Sequence, residues 1–280
     1  MSADRDEELA AALLAHFGAR GLRALPVAPA GPLRHPGLPL QVGPYFRAAE
    51  ESDPPSVGEC AAGLDAGPAA AQLRIGTDGG AELYFAPDRS VRAVLPGGRP
   101  LDLPVAPDVA AFAGGLLLLD RLLPVVAAGD RPDAALAAYR ELRQGLLALD
   151  AAAFDDREGW WPRVLDDLRR PLNLDSSAAF EVVDDRGERR IVTEVSGPGL
   201  LHPEESLWHR LRAEGVGAGQ VVRVYCELEP CLMPGHYCAR WMAREFPQAE
   251  FTHGFDYGET AESRENGIRA LMISLAGRRG

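Results

Sequence analysis

Three helical segments follow one another between about residues 107 and 170, and the apolar periodicity on both sides of that block is that of strands. The helices read as DVAAFAGGLLLLDRLLPVVAA (about 107–127), RPDAALAAYRELRQGLLAL (about 131–149) and DDREGWWPRVLDDLRR (about 155–170), with Pro171 expected to end the last. The switch near residue 172 is therefore the best place to cut the chain, and 280 residues are enough for two domains. The expected organisation is a domain over 1–150, a linker helix over 151–172 and a second domain over 173–280.

Before the helical block, residues 5–18 carry apolar positions at helical spacing and stop at Gly18. Residues 26–44 are Pro-rich and read as loop or short edge strand. From about 71 onward, short alternating runs separated by TDGG, APDRS and PGGR read as an antiparallel meander, with Asp78-Gly79-Gly80 as hairpin-turn chemistry. The N-terminal part is thus α+β. After 172, FEVVDD and RRIVTEVSG read as strands joined by a turn at Arg186-Gly187. A helix at LHPEESLWHRLRAEGV, a strand at QVVRVYCELEP, a helix at PGHYCARWMAREFP, a strand at AEFTHGFDYG and a closing helix complete the order β-β-α-β-α-β-α. That order predicts a three-layer α/β fold.

The formal net charge of −12 argues against a broad basic face for duplex DNA, though not against a narrow channel lined by a few arginines. All basic residues are arginine, which reads as the coding bias of a GC-rich genome. The N-terminus has no basic region ahead of an apolar core and does not read as a signal peptide. The apolar run near FAGGLLLLD is too short to span a bilayer, so no membrane partner is expected. Four cysteines, with Cys60 isolated, make no disulfide framework, and a reducing cytoplasm is the expected compartment.

The chemistry concentrates in two stretches. His202-Pro203-Glu204 opens a helix, and Pro230-Cys231 closes the strand about thirty residues later, with Cys238 following. H-x-E with P-C-x-x-C is the signature of zinc-dependent nucleobase deaminases, in which one His and two Cys hold Zn²⁺ and the Glu moves protons. Three such ligands leave a fourth position for water, whose pKa zinc lowers toward ~7. The expected ligands are His202, Cys231 and Cys238, with Glu204 as acid and base. Here six residues separate the cysteines instead of two. On one unbroken helix they would stand about 10 Å apart along the axis, whereas two thiolates on one tetrahedral zinc lie roughly 4 Å apart. Pro234-Gly235 breaks the helix, so LMPGHY is expected to loop outward, with Cys238 in the first turn of the second helix.

Read without the metal, His202 to Glu204 is a helix start with Pro at its first position and a capping carboxylate, and the cysteines are core residues. A structural zinc would need a fourth ligand, for which Cys226, His236 and His209 are the choices. Cys226 alternates with Val222, Val224 and Leu228 and reads as core. His209 is seven residues along the helix from His202, too far to share the metal. His236 reads as a solvated loop residue, with contact to a base as the sharper option. Phe255 and Tyr257 stand where they could stack on a base. Trp208 and Trp241 read as core, Arg264 and Arg269 as a solvated face, and Trp160 and Trp161 as the packing side of the linker helix. No C-x-x-C is present, which argues against redox chemistry.

HPEESLWHRL, VYCELEPCLMPGHYCARWM and FPQAEFTHGFDYG resemble the bacterial nucleic acid and nucleotide deaminases, domains related to polymorphic-toxin deaminases and common in actinobacteria. The resemblance covers about residues 173–280. RIGTDGGAELYF, the V-R-A-V strand, the Gly-Gly turn and the helix near DVAAFAGGLLLLD resemble the SUKH superfamily, α+β modules best known as immunity proteins that bind toxins. That resemblance covers roughly 1–150 and implies a protein partner and no catalysis. Together they imply a zinc-dependent hydrolase of cyclic amidines. It would act on cytosine or adenine in a nucleotide or in a single-stranded or flipped-base nucleic acid, with substrate contacts at His236, Phe255 and Tyr257. The rival expectation is a toxin-immunity or other partner-binding protein with a regulatory or silenced deaminase domain. A third is a deaminase of another small molecule, such as a guanidine or a pterin.

Overall fold

The computed structural model describes residues 2–25, 33, 35–61, 63–128, 131–197 and 201–278. It divides into two compact units, residues 1–125 with 136–165 and residues 126–135 with 166–280. Of the stretch 26–44, expected to be loop or short edge strand, residues 26–32 and 34 lie outside the described residues, and its described part carries the two short strands Leu38–Pro39 and Gln41–Val42.

In the first unit, α1 (Ser2–Phe17) precedes β1 (Leu22–Arg23), which pairs with β2 (Leu38–Pro39). Next come β3 (Gln41–Val42), β4 (Phe46–Ala48), α2 (Val57–Cys60), β5 (Arg74–Thr77), β6 (Glu82–Phe85), β7 (Val91–Leu95) and β8 (Leu101–Ala106). Among the described residues, β3 to β8 form one antiparallel sheet of six strands in sequence order. Three helices follow, α3 (Val109–Ala127), α4 (Pro132–Leu149) and α5 (Trp160–Asn173), of which residues 126–135 and 166–173 count with the second unit. The last begins five residues later than the sequence suggests and runs through Pro171, which occupies its final turn, where few helical bonds remain to be lost.

By length and composition α3 is able to cross a membrane, a correction to the reading of its apolar run as too short; 56% of that window is buried within the protein, as in a core helix. The β5–β6 turn is built by Asp78, whose Oδ1 accepts the N–H groups of Gly80 at 3.3 Å and Ala81 at 2.8 Å. Its Oδ2 accepts Nε1–H of the fully buried Trp160 at 2.9 Å. Trp160→Phe keeps an aromatic ring but leaves part of the indole's space empty, and it removes that donor from a buried carboxylate. It is expected to cost about 1–3 kcal/mol, read as a lower urea midpoint with an unchanged slope.

The second unit contains β9 (Ser177–Val183), β10 (Arg189–Val195), α6 (Pro203–Ala213), β11 (Val221–Leu228), α7 (Cys238–Glu245), β12 (Glu250–Phe255) and α8 (Ala261–Arg278). Its sheet has the order β10-β9-β11-β12; β9 is antiparallel to both neighbours, and β11 runs parallel to β12 through the α7 crossover. Strand alternation puts Ala178, Phe180 and Val182 of β9 and Val224, Cys226 and Leu228 of β11 on one buried face. Leu207, Trp208, Leu211, Met242 and Leu271 from the helices join that core, with Phe246 just past the end of α7. The seat of α8 depends on Gly267, where any Cβ would fall 1.7 Å from the Asp256 carbonyl oxygen. Arg264 on α8 is buried, not solvated as its sequence context suggests; its Nη1 donates to the Glu259 carbonyl at 2.8 Å.

Candidate metal centre

Two helix N-termini and one strand end meet in the second unit. His202 is the N-cap of α6, with Pro203 in the first position, where its missing N–H costs nothing. The His202 backbone N–H donates to Glu205 Oε2 at 2.8 Å, so a carboxylate of the first turn fixes the backbone from which the imidazole projects. Cys231 lies just beyond β11. The chain then reverses through Gly235 at φ +83° and Tyr237 at φ +44°, both left-handed, and α7 starts at Cys238. The Cys231 carbonyl accepts Ala239 N–H at 3.1 Å, which clamps the two ends of the turn together. Contrary to the expectation of an outward loop, Met233, Pro234, His236 and Tyr237 are buried. Met233 joins the core cluster, and burial of these apolar side chains pulls the segment inward.

His202 Nδ1 lies 3.3 Å from Cys231 Sγ and 3.4 Å from Cys238 Sγ. The three donor atoms all fall within 4.8 Å of one another, and all three residues are buried. Zinc bonds of ~2.3 Å to sulfur and ~2.0–2.1 Å to nitrogen in a tetrahedron put N and S about 3.6 Å apart and S and S about 3.8 Å apart. The donor set and its spacing thus fit a zinc ion with one position left over.

Behind the imidazole, His202 Nε2 is 2.9 Å from Asp167 Oδ1. His236 stacks on His202 at 3.9 Å, donates from Nδ1 to Glu205 Oε2 at 2.7 Å and places Nε2 3.2 Å from Asp167 Oδ2. His236 is 4% exposed, which corrects its reading as a solvated loop residue. Arg170 Nη2 also lies 2.9 Å from His202 Nε2. A guanidinium only donates, so the Arg170 and Asp167 hydrogen bonds require opposite tautomers of the ring. With Nδ1 turned to a metal, the Nε2 proton goes to Asp167.

Burial pushes the Glu204 carboxyl above the ordinary carboxylate range, against the pull of the His202 charge. Burial opposes ionisation of Cys231 as well, yet the Cys238 thiol hydrogen bond and the His202 charge hold it well below its usual value. Cys238 is pushed well up by burial and by its bond to Cys231. Asp167 stays well below the carboxylate range because the His202 and His236 charges outweigh its burial. His236 is raised well above the usual imidazole value, its burial overcome by Asp167 and Glu205.

Tyr257 is buried beneath the Arg170 guanidinium, 5.6 Å from ring centre to Cζ, and its hydroxyl has no hydrogen-bond partner among the described residues. Phe255 at the end of β12 is half-buried against the core. Cys226 is fully buried within the core, and burial drives its thiol far up. His209 and Arg269 are exposed. Sequence reasoning missed Asp167 and Arg170. Their signal is their place on the stripe of α5 that also holds Trp160 and Val164, since a charge on a helix's apolar face is buried only with a partner.

The fold and the site define a two-part protein with a deaminase-family domain at its C-terminus: residues 174–274 match the model of the Xanthomonas-like deaminases. Residues 8–167, more than half of the chain, match the SUKH-4 immunity protein model, and the protein belongs to the SUKH-4 immunity protein family. No curated protein and no solved structure gives a significant match.

Proposed function

We propose that the protein is a zinc-dependent hydrolytic deaminase that removes the exocyclic amine of cytosine or adenine as ammonia, acting on a nucleotide or on a single-stranded or flipped-out base. The observation that carries this reading is the convergence of His202 Nδ1 with the Cys231 and Cys238 thiols, beside a buried Glu204, in a domain matching a deaminase family. Zinc held by these three side chains would supply an activated water for attack on the amine-bearing ring carbon. The raised pKa of Glu204 suits both taking a proton from water and passing it to the ring nitrogen and the departing ammonia. Tyr257, whose hydroxyl has no partner among the described residues, is the better placed of the expected base contacts; His236 is committed to Glu205 and Asp167. The net charge of −12 favours free nucleotide or a single exposed base over tight duplex binding.

The SUKH-4 match supports a second role, docking of a protein partner by the first unit. Sequencing DNA and RNA from cells expressing the chain tests the catalytic reading. C-to-T or A-to-G changes that vanish in Glu204→Ala support it. Clean sequences, together with no ammonia release from free nucleotides, would leave the partner-binding role as the function.

A further inference from the structure

We infer that Asp167, on α5, is a positioning residue of the metal centre, so that the deaminase machinery begins upstream of the segment that matches the deaminase family. This rests on the zinc reading above. Asp167 lies before residue 174, where that match starts, and is the final residue of the SUKH-4 match. By packing, however, it belongs with residues 166–280, the unit that holds the ligands.

The geometry is a closed ring. Asp167 Oδ1 takes His202 Nε2 at 2.9 Å, and Asp167 Oδ2 stands 3.2 Å from His236 Nε2. His236 Nδ1 donates to Glu205 Oε2 at 2.7 Å, and the same oxygen accepts the His202 backbone N–H at 2.8 Å. The ring therefore holds His202 by its main chain and by the far side of its imidazole, while the stacked His236 ring, 3.9 Å away, blocks rotation. Only one group in this ring selects the ligating tautomer. An acceptor at Nε2 puts the proton there and leaves the Nδ1 lone pair facing the two thiols, and Asp167 supplies that acceptor. Arg170, the other group at Nε2, would demand the opposite tautomer, with a proton aimed at the sulfurs.

The test uses the full chain and zinc affinity by competition with a chromophoric chelator, with circular dichroism and thermal melting as controls on folding. Asp167→Ala is expected to weaken zinc binding by about 100-fold and Asp167→Asn, whose amide oxygen still accepts a hydrogen bond from Nε2–H, by about 10-fold. The cobalt(II)-loaded Asn variant is expected to show a shifted, weaker visible d–d band. Asn is nearly isosteric and carries the test by itself if the Ala variant does not fold. Zinc affinity within threefold of wild type, alongside a lowered melting temperature, would make Asp167 an ordinary buried ion-pair partner and overturn the inference. A wild-type chain that takes up no zinc overturns the metal reading itself, and that result is read before any variant is compared.

Discussion

Glu204→Gln is expected to lower turnover by about 10²–10⁴-fold while the protein keeps one zinc per chain. The glutamine fills the same space at the second position of α6 and keeps a polar group in the site, but it cannot shuttle a proton. The same change is expected to raise the melting temperature of the zinc-stripped protein by a few degrees. The sign follows from the direction of the Glu204 shift. A carboxyl whose folded pKa is raised contributes stability that is fully present below about pH 4.5 and is lost as pH rises through the folded value. The stability difference between variant and wild type should therefore grow from pH 4.5 upward and then level off. A Gln variant with full activity removes Glu204 from the chemistry. One that is inactive because it has lost zinc makes the residue part of the metal's support instead.

Cys231→Ala and Cys238→Ala are each expected to abolish stoichiometric zinc and to lower the melting temperature of the zinc-loaded second unit by about 10 °C or more. A ligand present at a thousand times its dissociation constant stabilises by about 4.1 kcal/mol, and one kcal/mol moves a domain of this size by several degrees. Elemental analysis with melting curves in the presence and absence of EDTA measures both effects. If the cysteines are core residues only, EDTA leaves wild type unchanged and each alanine costs only the lost packing of one small buried side chain. Cys226→Ala is the control: on the buried face of β11, it should change stability and leave zinc content alone.

Much of the second unit was legible because its signals are local. Alternation along FEVVDD and QVVRVYCELEP marks β9 and β11, and Pro203 after a polar N-cap marks the start of α6. The gathering of His202 with Cys231 and Cys238 was legible from residue chemistry, since imidazole and two thiols are the ligand types that share one metal. The inward path of LMPGHY was not. Pro234-Gly235 announces a turn, but whether the turn faces water or core depends on what lies beneath it, and here Met233 and Tyr237 find the core. The same blindness misread His236, whose partners Asp167 and Glu205 come from α5 and α6, and Arg264, whose partner carbonyl precedes α8.

By itself, then, the amino-acid order determined most elements of the second unit, the place where the periodicity changes and a His and two Cys that come together as a possible ligand set, because periodicity, capping and ligand chemistry act within a few residues. The tertiary structure decided which nitrogen of His202 faces the thiols, that His236 backs that ring, and that Asp167 on α5 meets them both. Those outcomes turn on which polar groups lose water together. A buried charge persists only beside its partner, and α5 and α6 bring these partners together from distant parts of the chain.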